Sequence, residues 1–285
     1  YASGAKAEGW QFDLIVENDV IVPADNLDHD RYYTNGLQLR LKSPSLYEYS
    51  LGQLIFTPND KKSPLLQEHD RPYAGYLFVS AAKNQLEDQR MRHMQISAGV
   101  IGPASLAEQA QNGFHSISEN NKAMGWDNQL DNEPALMLTL SHIWSANKDI
   151  VSDNFSWNIL PYIGINLGSP YTSASVGGEL RLGYRMAQDY TITGISYLSG
   201  VTVAINENEE NLSGYLFFGM DGTAMLWNTF LDGNVFRTSH SIDKKPFVAT
   251  ARAGFVVKIK RVKITYTQIY QTKEFYGQEK RHLYG

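Results

Sequence analysis

The sequence predicts an all-β chain, an antiparallel transmembrane β-barrel of about 12 strands with long loops and a short helix at its extracellular rim. Three observations carry that expectation. Apolar and polar residues alternate in twos along much of the chain, the period of a strand whose two faces meet different surroundings. The alternating runs are roughly 10 or more residues long, enough for a tilted strand to cross a hydrocarbon core. Long connections alternate with short ones, as when loops gather on one rim of a barrel and tight turns on the other.

Composition bounds the answer. With 285 residues, 42% of them hydrophobic, one large β domain over residues 1–285 fits better than several small ones. No apolar run reaches 18 residues, which excludes a transmembrane helix and leaves a barrel open. Without cysteine, no disulfide framework holds the fold. The 25 basic and 30 acidic side chains are well mixed, which argues against a nucleic-acid surface. Tyr1 is followed by neither a charged nor an apolar leader region, so an export signal is expected to have been removed already.

In the first strand Trp10, Phe12, Leu14 and Val16 point one way and Gln11, Asp13, Glu17 and Asp19 the other, with Ile15 as the exception. In the second, Leu37, Leu39 and Leu41 oppose Thr34, Gly36, Gln38, Arg40 and Lys42, so Asp19 and Thr34 both fall on the polar face. Further strands are expected near 49–56, 73–83, 91–102, 133–145, 153–168, 178–188, 214–228, 246–258 and 261–273. That makes eleven, and His282-Leu283-Tyr284-Gly285 would open a twelfth. In lipid an unpaired sheet edge leaves backbone groups unsatisfied, so closure is demanded.

The links at 19–33, 57–72 and 103–132 are long, and those at 44–48, 84–90 and 146–152 are short. The stretch 187–213 breaks this rule by being long on the short-turn side. A soluble sandwich alternates too, so periodicity alone leaves both architectures open. Strand length, the 17 tyrosines often near strand ends, and a polar face carrying Glu179, Arg181 and Arg185 favour a barrel with a wet lumen.

Between Gly99 and Pro134 the pattern changes. Pro103 suits a first helical turn, where its missing N–H costs nothing, and a helix is expected over about 104–117. Leu106, Ala110 and Phe114 make an apolar stripe, with Ala107, Gln111 and His115 on the neighbouring one. The helix is expected to pack by Leu106 and Phe114 and to show His115 beside them. Asp30-Arg31-Tyr32-Tyr33-Thr34-Asn35-Gly36 is echoed by Asp70-Arg71-Pro72-Tyr73-Ala74-Gly75. Taken alone, each reads as a rim device, with Asp and Arg paired and Tyr in the interfacial girdle.

Glu17-Asn18-Asp19, the two Asp-Arg motifs, and Gly99-Val100-Ile101-Gly102-Pro103 leading to His115 and Trp126 occur in an order and spacing that resembles the LpxR family of outer-membrane lipid A 3′-O-deacylases. The resemblance implies a twelve-stranded barrel of the bacterial outer membrane, with its active site at the outer-leaflet rim. It further implies calcium-dependent hydrolysis of ester-linked acyl chains at the 3′ position of lipid A, with lipopolysaccharide as the partner. Carried onto matching positions, His115 is the general base and Asn18, Asp19 and Thr34 are its companions. The family lysine falls at Lys61 in preference to Lys62. Where the family has an acid six positions after the histidine, this chain has Asn121, and Glu119 is the substitute. Asn18, Asp19 and Glu119 are then the expected calcium ligands, and a monomer is expected.

The residue types suit that chemistry. A neutral imidazole takes a proton from water near its working pH. A hard cation held by carboxylate and amide oxygens stabilises the oxyanion formed at an ester carbonyl, with lysine as a second positive group. The alternatives are a channel or structural barrel without catalysis, and a phospholipase barrel.

Overall fold

The computed structural model describes residues 9–18, 32–87, 89–117, 123–152, 154–186, 189–192, 212–279 and 281–285, and the side chains of 114–117 and 147–152 lie outside that description. Its strands are β1 (Gln11–Asn18), β2 (Tyr32–Lys42), β3 (Tyr47–Thr57), β4 (Ala74–Glu87), β5 (Arg90–Ile101), β6 (Glu133–Trp144), β7 (Ala146–Ser152), β8 (Phe155–Gly168), β9 (Tyr171–Tyr184), β10 (Leu212–Asn228), β11 (Phe247–Ile259), β12 (Val262–Gln271) and β13 (His282–Tyr284). Two helices, α1 (Ala107–Ile117) and α2 (Thr229–Asp232), belong to connections. Every strand pairs antiparallel in sequence order, with β7 carrying β6 onward along β8 beyond Ser145.

The result is a nearly closed ring of 12 strands, as expected. Its last strand is three residues long. Beyond it, the backbone of Gly285 exchanges two hydrogen bonds with Asn18, at 2.8 and 3.1 Å, and so joins the end of the chain to β1 at the long-loop rim.

Alternation places the two faces. Phe12, Leu14, Leu39, Leu51, Val79, Ile96, Leu182 and Phe218 stand exposed on the outer wall, where hydrocarbon covers them. The partner set turns inward and is buried: Gln38 donates to Ser50 at 2.9 Å, Ser50 meets Ser80 at 2.6 Å, and Arg40 pairs with Glu48 at 3.0 Å. Buried polar groups persist only when so satisfied.

The lumen is packed rather than wet. At the short-turn end, Asp189–Ile192, near the start of the long connection that broke the loop rule, fold into it. Asp189 accepts from Lys263 at 2.7 Å and Tyr215 at 3.1 Å, and Arg181 reaches its backbone carbonyl at 2.8 Å. Burial opposes ionisation of Asp189, but Lys263 and Arg181 outweigh it and hold the carboxyl below its ordinary range. Tyr190 and Ile192 pack with Met91, Ile143, Leu160 and Tyr162. Glu179 and Arg181 do share the inner face, bonded to each other, whereas Arg185 leaves the strand with φ +48° and donates to Asn154 at 3.0 Å. Strand β9 accordingly spans Tyr171–Tyr184 instead of 178–188, because its small-residue start at Thr172-Ser173-Ala174-Ser175 carries little hydropathy contrast.

At the long-loop end α2 caps the lumen. Phe230 stacks on Phe56 with ring centres 4.2 Å apart, and the Arg71 guanidinium lies 4.6 Å from the Phe56 centroid while pairing with Glu274 at 3.1 Å. This corrects the rim-device reading. Arg71 is buried and pairs with Glu274, while Asp70 accepts from the backbone N–H of Asn59 and of Arg71. Tyr32, Tyr33 and Tyr73 are buried, outside any interfacial girdle: Tyr32 packs with Leu231 and Phe275, Tyr33 with Phe56 and Tyr284, and Tyr73 with Trp126. Asp30 and Arg31 lie outside the described residues.

Candidate functional site

The outer wall changes character as it climbs β3. Leu51 is exposed, but Ile55 and Thr57, on the same face, are 3% and 0% exposed. What covers them is the connection between β5 and β6. Ile55 packs with Tyr73, Ala107, Ala123 and Trp126, so α1 lies against the outside of the barrel.

Local sequence explains the approach. Gly75, opposite Ile55 in β4, carries no side chain where a Cβ would stand 2.1 Å from Ser105 Oγ and 2.3 Å from Ala107 Cβ. Gly102 turns with φ +94°, where an added Cβ would meet the Asp131 backbone at 2.6 Å. Pro103–Ser105 form a single 3-10 turn anchored by Gln53, whose amide donates to the Ser105 carbonyl at 2.7 Å. The expected helix over 104–117 is therefore two pieces, broken at Leu106, whose φ is +60°.

The helix packs by the stripe opposite to expectation. Ala107 and Gln111 are buried, and Gln111 accepts from Trp126 Nε1 at 2.9 Å, while Leu106 and Ala110 are exposed. The wall beneath α1 is narrow at Gly75 and admits alanine but not leucine, which selects that stripe. His115 belongs to the last turn of α1. Phe114, expected as a packing residue, and the His115 side chain lie outside the described side chains.

Thr34 faces this same outer wall. Read by alternation it belongs with Gly36 on the inner face, but a β-bulge between Tyr33 and Asn35 shifts the register by one. The extra residue keeps Tyr33 inside, where its hydroxyl donates to Glu17 at 2.7 Å, and re-aims Thr34 outward to within 2.7 Å of the Thr57 hydroxyl. Thr34 is 3% exposed.

Asn18 ends β1 beside Asn35 of β2, at the same rim. Its backbone N–H and carbonyl both bond to Gly285. Lys61 lies in the loop after β3, four residues past Thr57, and its carbonyl accepts from Met124 N–H at 2.8 Å. That bond, with the Asn128 amide on Pro64 O at 2.9 Å, ties the loop to the covering segment. Lys62 is exposed, its N–H bonded to Asp60 at 3.0 Å. Burial raises the Asp70 carboxyl of this loop above its ordinary range, against the two N–H bonds it accepts.

Asp19 and Glu119 lie outside the described residues. Among the described residues there is no cluster of three or more potential metal-binding His, Asp or Glu side chains. Thr57 had no sequence signal of its own and is revealed only by the bulge opposite it, while Trp126 and Gln111 stood in the sequence pattern without any sign that they bond to each other.

A family model described as "Outer membrane protein LpxR" matches residues 1–285. A solved structure, "LpxR from Salmonella typhimurium", has the same fold, with TM-score 0.80 and 21% identity over 96% of each chain. A comparison with curated proteins gave no match.

Proposed function

The chain belongs to the LpxR family of outer-membrane proteins, and on that footing we propose that it is a lipid A deacylase hydrolysing the ester-linked acyl chains at the 3′ position. The observation that carries the reading is the outward aim of Thr34. Reactive groups on the outer wall, under a helix at the long-loop rim, meet a lipid in the outer leaflet, whereas groups in the lumen would not. Lower on the same wall, a groove of about 710 Å³ lined by Leu39, Leu51, Val79, Ala81 and Ala98 suits acyl chains.

In this mechanism His115 takes a proton from water as the oxygen attacks the ester carbonyl carbon. The carbonyl oxygen gains the charge, and Lys61 offsets it. Collapse breaks the bond to the sugar oxygen, and the proton held on His115 passes to that leaving oxygen. Products are a fatty acid and a free sugar hydroxyl. Thr34, held by Thr57, positions the water or the ester.

Asn18 amide oxygen and the Asp19 carboxylate, with Glu119, offer hard oxygen donors, the set that suits calcium rather than a thiophilic metal. Calcium bound there would supply positive charge near the reacting carbonyl. A channel is poorly supported, because Tyr190 and Ile192 pack across one end of the lumen and Phe230 across the other.

Purified protein incubated with lipid A, with calcium and then with chelator, tests the proposal by mass spectrometry. Loss of 3′ acyl mass that stops on chelation is the expected result. Intact lipid A, or release from glycerophospholipids instead, overturns it.

A further inference from the structure

A second feature of the outer wall lies on the opposite rim. Near the short turns, cross-strand registers stack two rows of outward side chains. The row nearer the turn is Gln85, Arg92, His142 and Ile163; the row above it is Lys83, Met94, Leu140 and Ile165. Together they line a cleft of about 450 Å³. Lys83 and Arg92 bring two cations to its β4–β5 side, and Met94, Leu140, Ile163 and Ile165 make it apolar elsewhere.

Among the described residues, cations outnumber carboxylates at this cleft. Lys83, Arg90 and Arg92 meet a single described carboxylate, Glu87, which Arg92 contacts at 3.0 Å while both side chains stay about half exposed. The Lys83 ammonium stands 5.8 Å from the Tyr47 ring. His142 stacks on Trp144 at 4.2 Å, nearly parallel, and its Nε2 has no hydrogen-bond partner among the described residues. Long cationic side chains at the edge of a hydrocarbon band lift their heads to the headgroup layer, and a tryptophan marks that layer. Phosphate complements the pair Lys83 and Arg92 in charge, and guanidinium matches its oxygens in geometry.

Since the short-turn rim of an outer-membrane barrel faces the periplasm, the lipid at this depth belongs to the inner leaflet. We propose that the outer wall of β4, β5, β6 and β8 holds one anionic glycerophospholipid of that leaflet, its phosphate on Lys83 and Arg92 with His142 beside them, and an acyl chain along Met94, Leu140 and Ile165. This is a site for a bound lipid, separate from the chemistry under α1 because it lies at the other rim.

The test is native mass spectrometry of the protein released from vesicles of phosphatidylcholine with a minor share of phosphatidylglycerol. The expected result is one phosphatidylglycerol retained per chain, enriched over its share of the vesicle. The double variant Lys83→Gln/Arg92→Gln lowers retention roughly 10- to 30-fold, about what two lost surface cations are worth. Leu140→Trp, which fills the cleft without changing charge, lowers it too. Lys260→Gln/Arg261→Gln, which removes two exposed cations from the β11–β12 turn, leaves it unchanged. Equal loss in that control, or no enrichment over phosphatidylcholine, overturns the proposal. None of these readings depends on acyl release, so the lipid site and the deacylase reading fail independently.

Discussion

The Thr34 hydroxyl reaches that of Thr57, 2.7 Å away on the neighbouring strand, because one extra residue in β2 turns Thr34 from the lumen to the lipid-facing wall. On this account Thr34 is useful only because of that turn. Thr34→Val keeps volume and branching and removes the hydroxyl, and it is expected to lower the rate of acyl release by roughly 10²-fold through misplacement of the reacting groups. Thr57→Val should cost less, and the double variant should cost less than the product of the two. Acyl release by mass, with detergent melting as the control for folding, measures all three.

Gly75 lets α1 touch the barrel, since any Cβ there would stand 2.1 Å from Ser105 Oγ. Gly75→Val should leave the barrel folded, because its strand pairs are unaffected, yet lift the segment 102–117 from the wall. The expected signature is normal migration of the folded barrel on a semi-native gel, faster proteolysis within that segment, and loss of acyl release.

The plug at the periplasmic end depends on Asp189. Its carboxyl lies below the ordinary range in the folded chain, so it binds a proton less readily there than when unfolded. Its contribution is therefore complete above the unfolded value of about 3.9 and disappears as pH falls through the lower folded value. Asp189→Asn leaves Lys263 without its carboxylate, while Arg181 keeps Glu179, and should lower stability by about 2 kcal/mol at neutral pH. In detergent melts the gap between the two proteins should narrow below about pH 4. A gap that stays constant through acid contradicts the ionic role.

A packed lumen also predicts that the protein in planar bilayers conducts far less than an open porin. Tyr190→Ala/Ile192→Ala, by removing side chains that pack on Leu160 and Tyr162, should raise conductance without raising acyl release.

Much of this was legible in the residues. Strand number, including the short twelfth, followed from alternation and from the physical need to close a sheet in lipid. The rim that carries the site followed from loop lengths. Local pattern failed where one residue changes a register or where a packing partner is remote. Nothing in Tyr32-Tyr33-Thr34-Asn35 marks a bulge, so strict alternation put Thr34 inside. The stripe that α1 buries was misjudged because Leu106 is more apolar than Ala107, yet the close approach to Gly75 admits only the smaller residue. Arg71 read as a surface cation because its carboxylate, Glu274, is 203 positions away in the chain. The polar plug at Asp189 was invisible for the same reason, since Arg181 and Lys263 come from two different strands.

The central claim is that His115, in the last turn of α1, activates water at the outer wall. The direct measurement is acyl release from lipid A by purified, folded His115→Ala compared with the parent chain in calcium. A fall of roughly 10²- to 10⁴-fold, with melting and gel migration unchanged, is the predicted result. Release at the parent rate by the folded variant would contradict it.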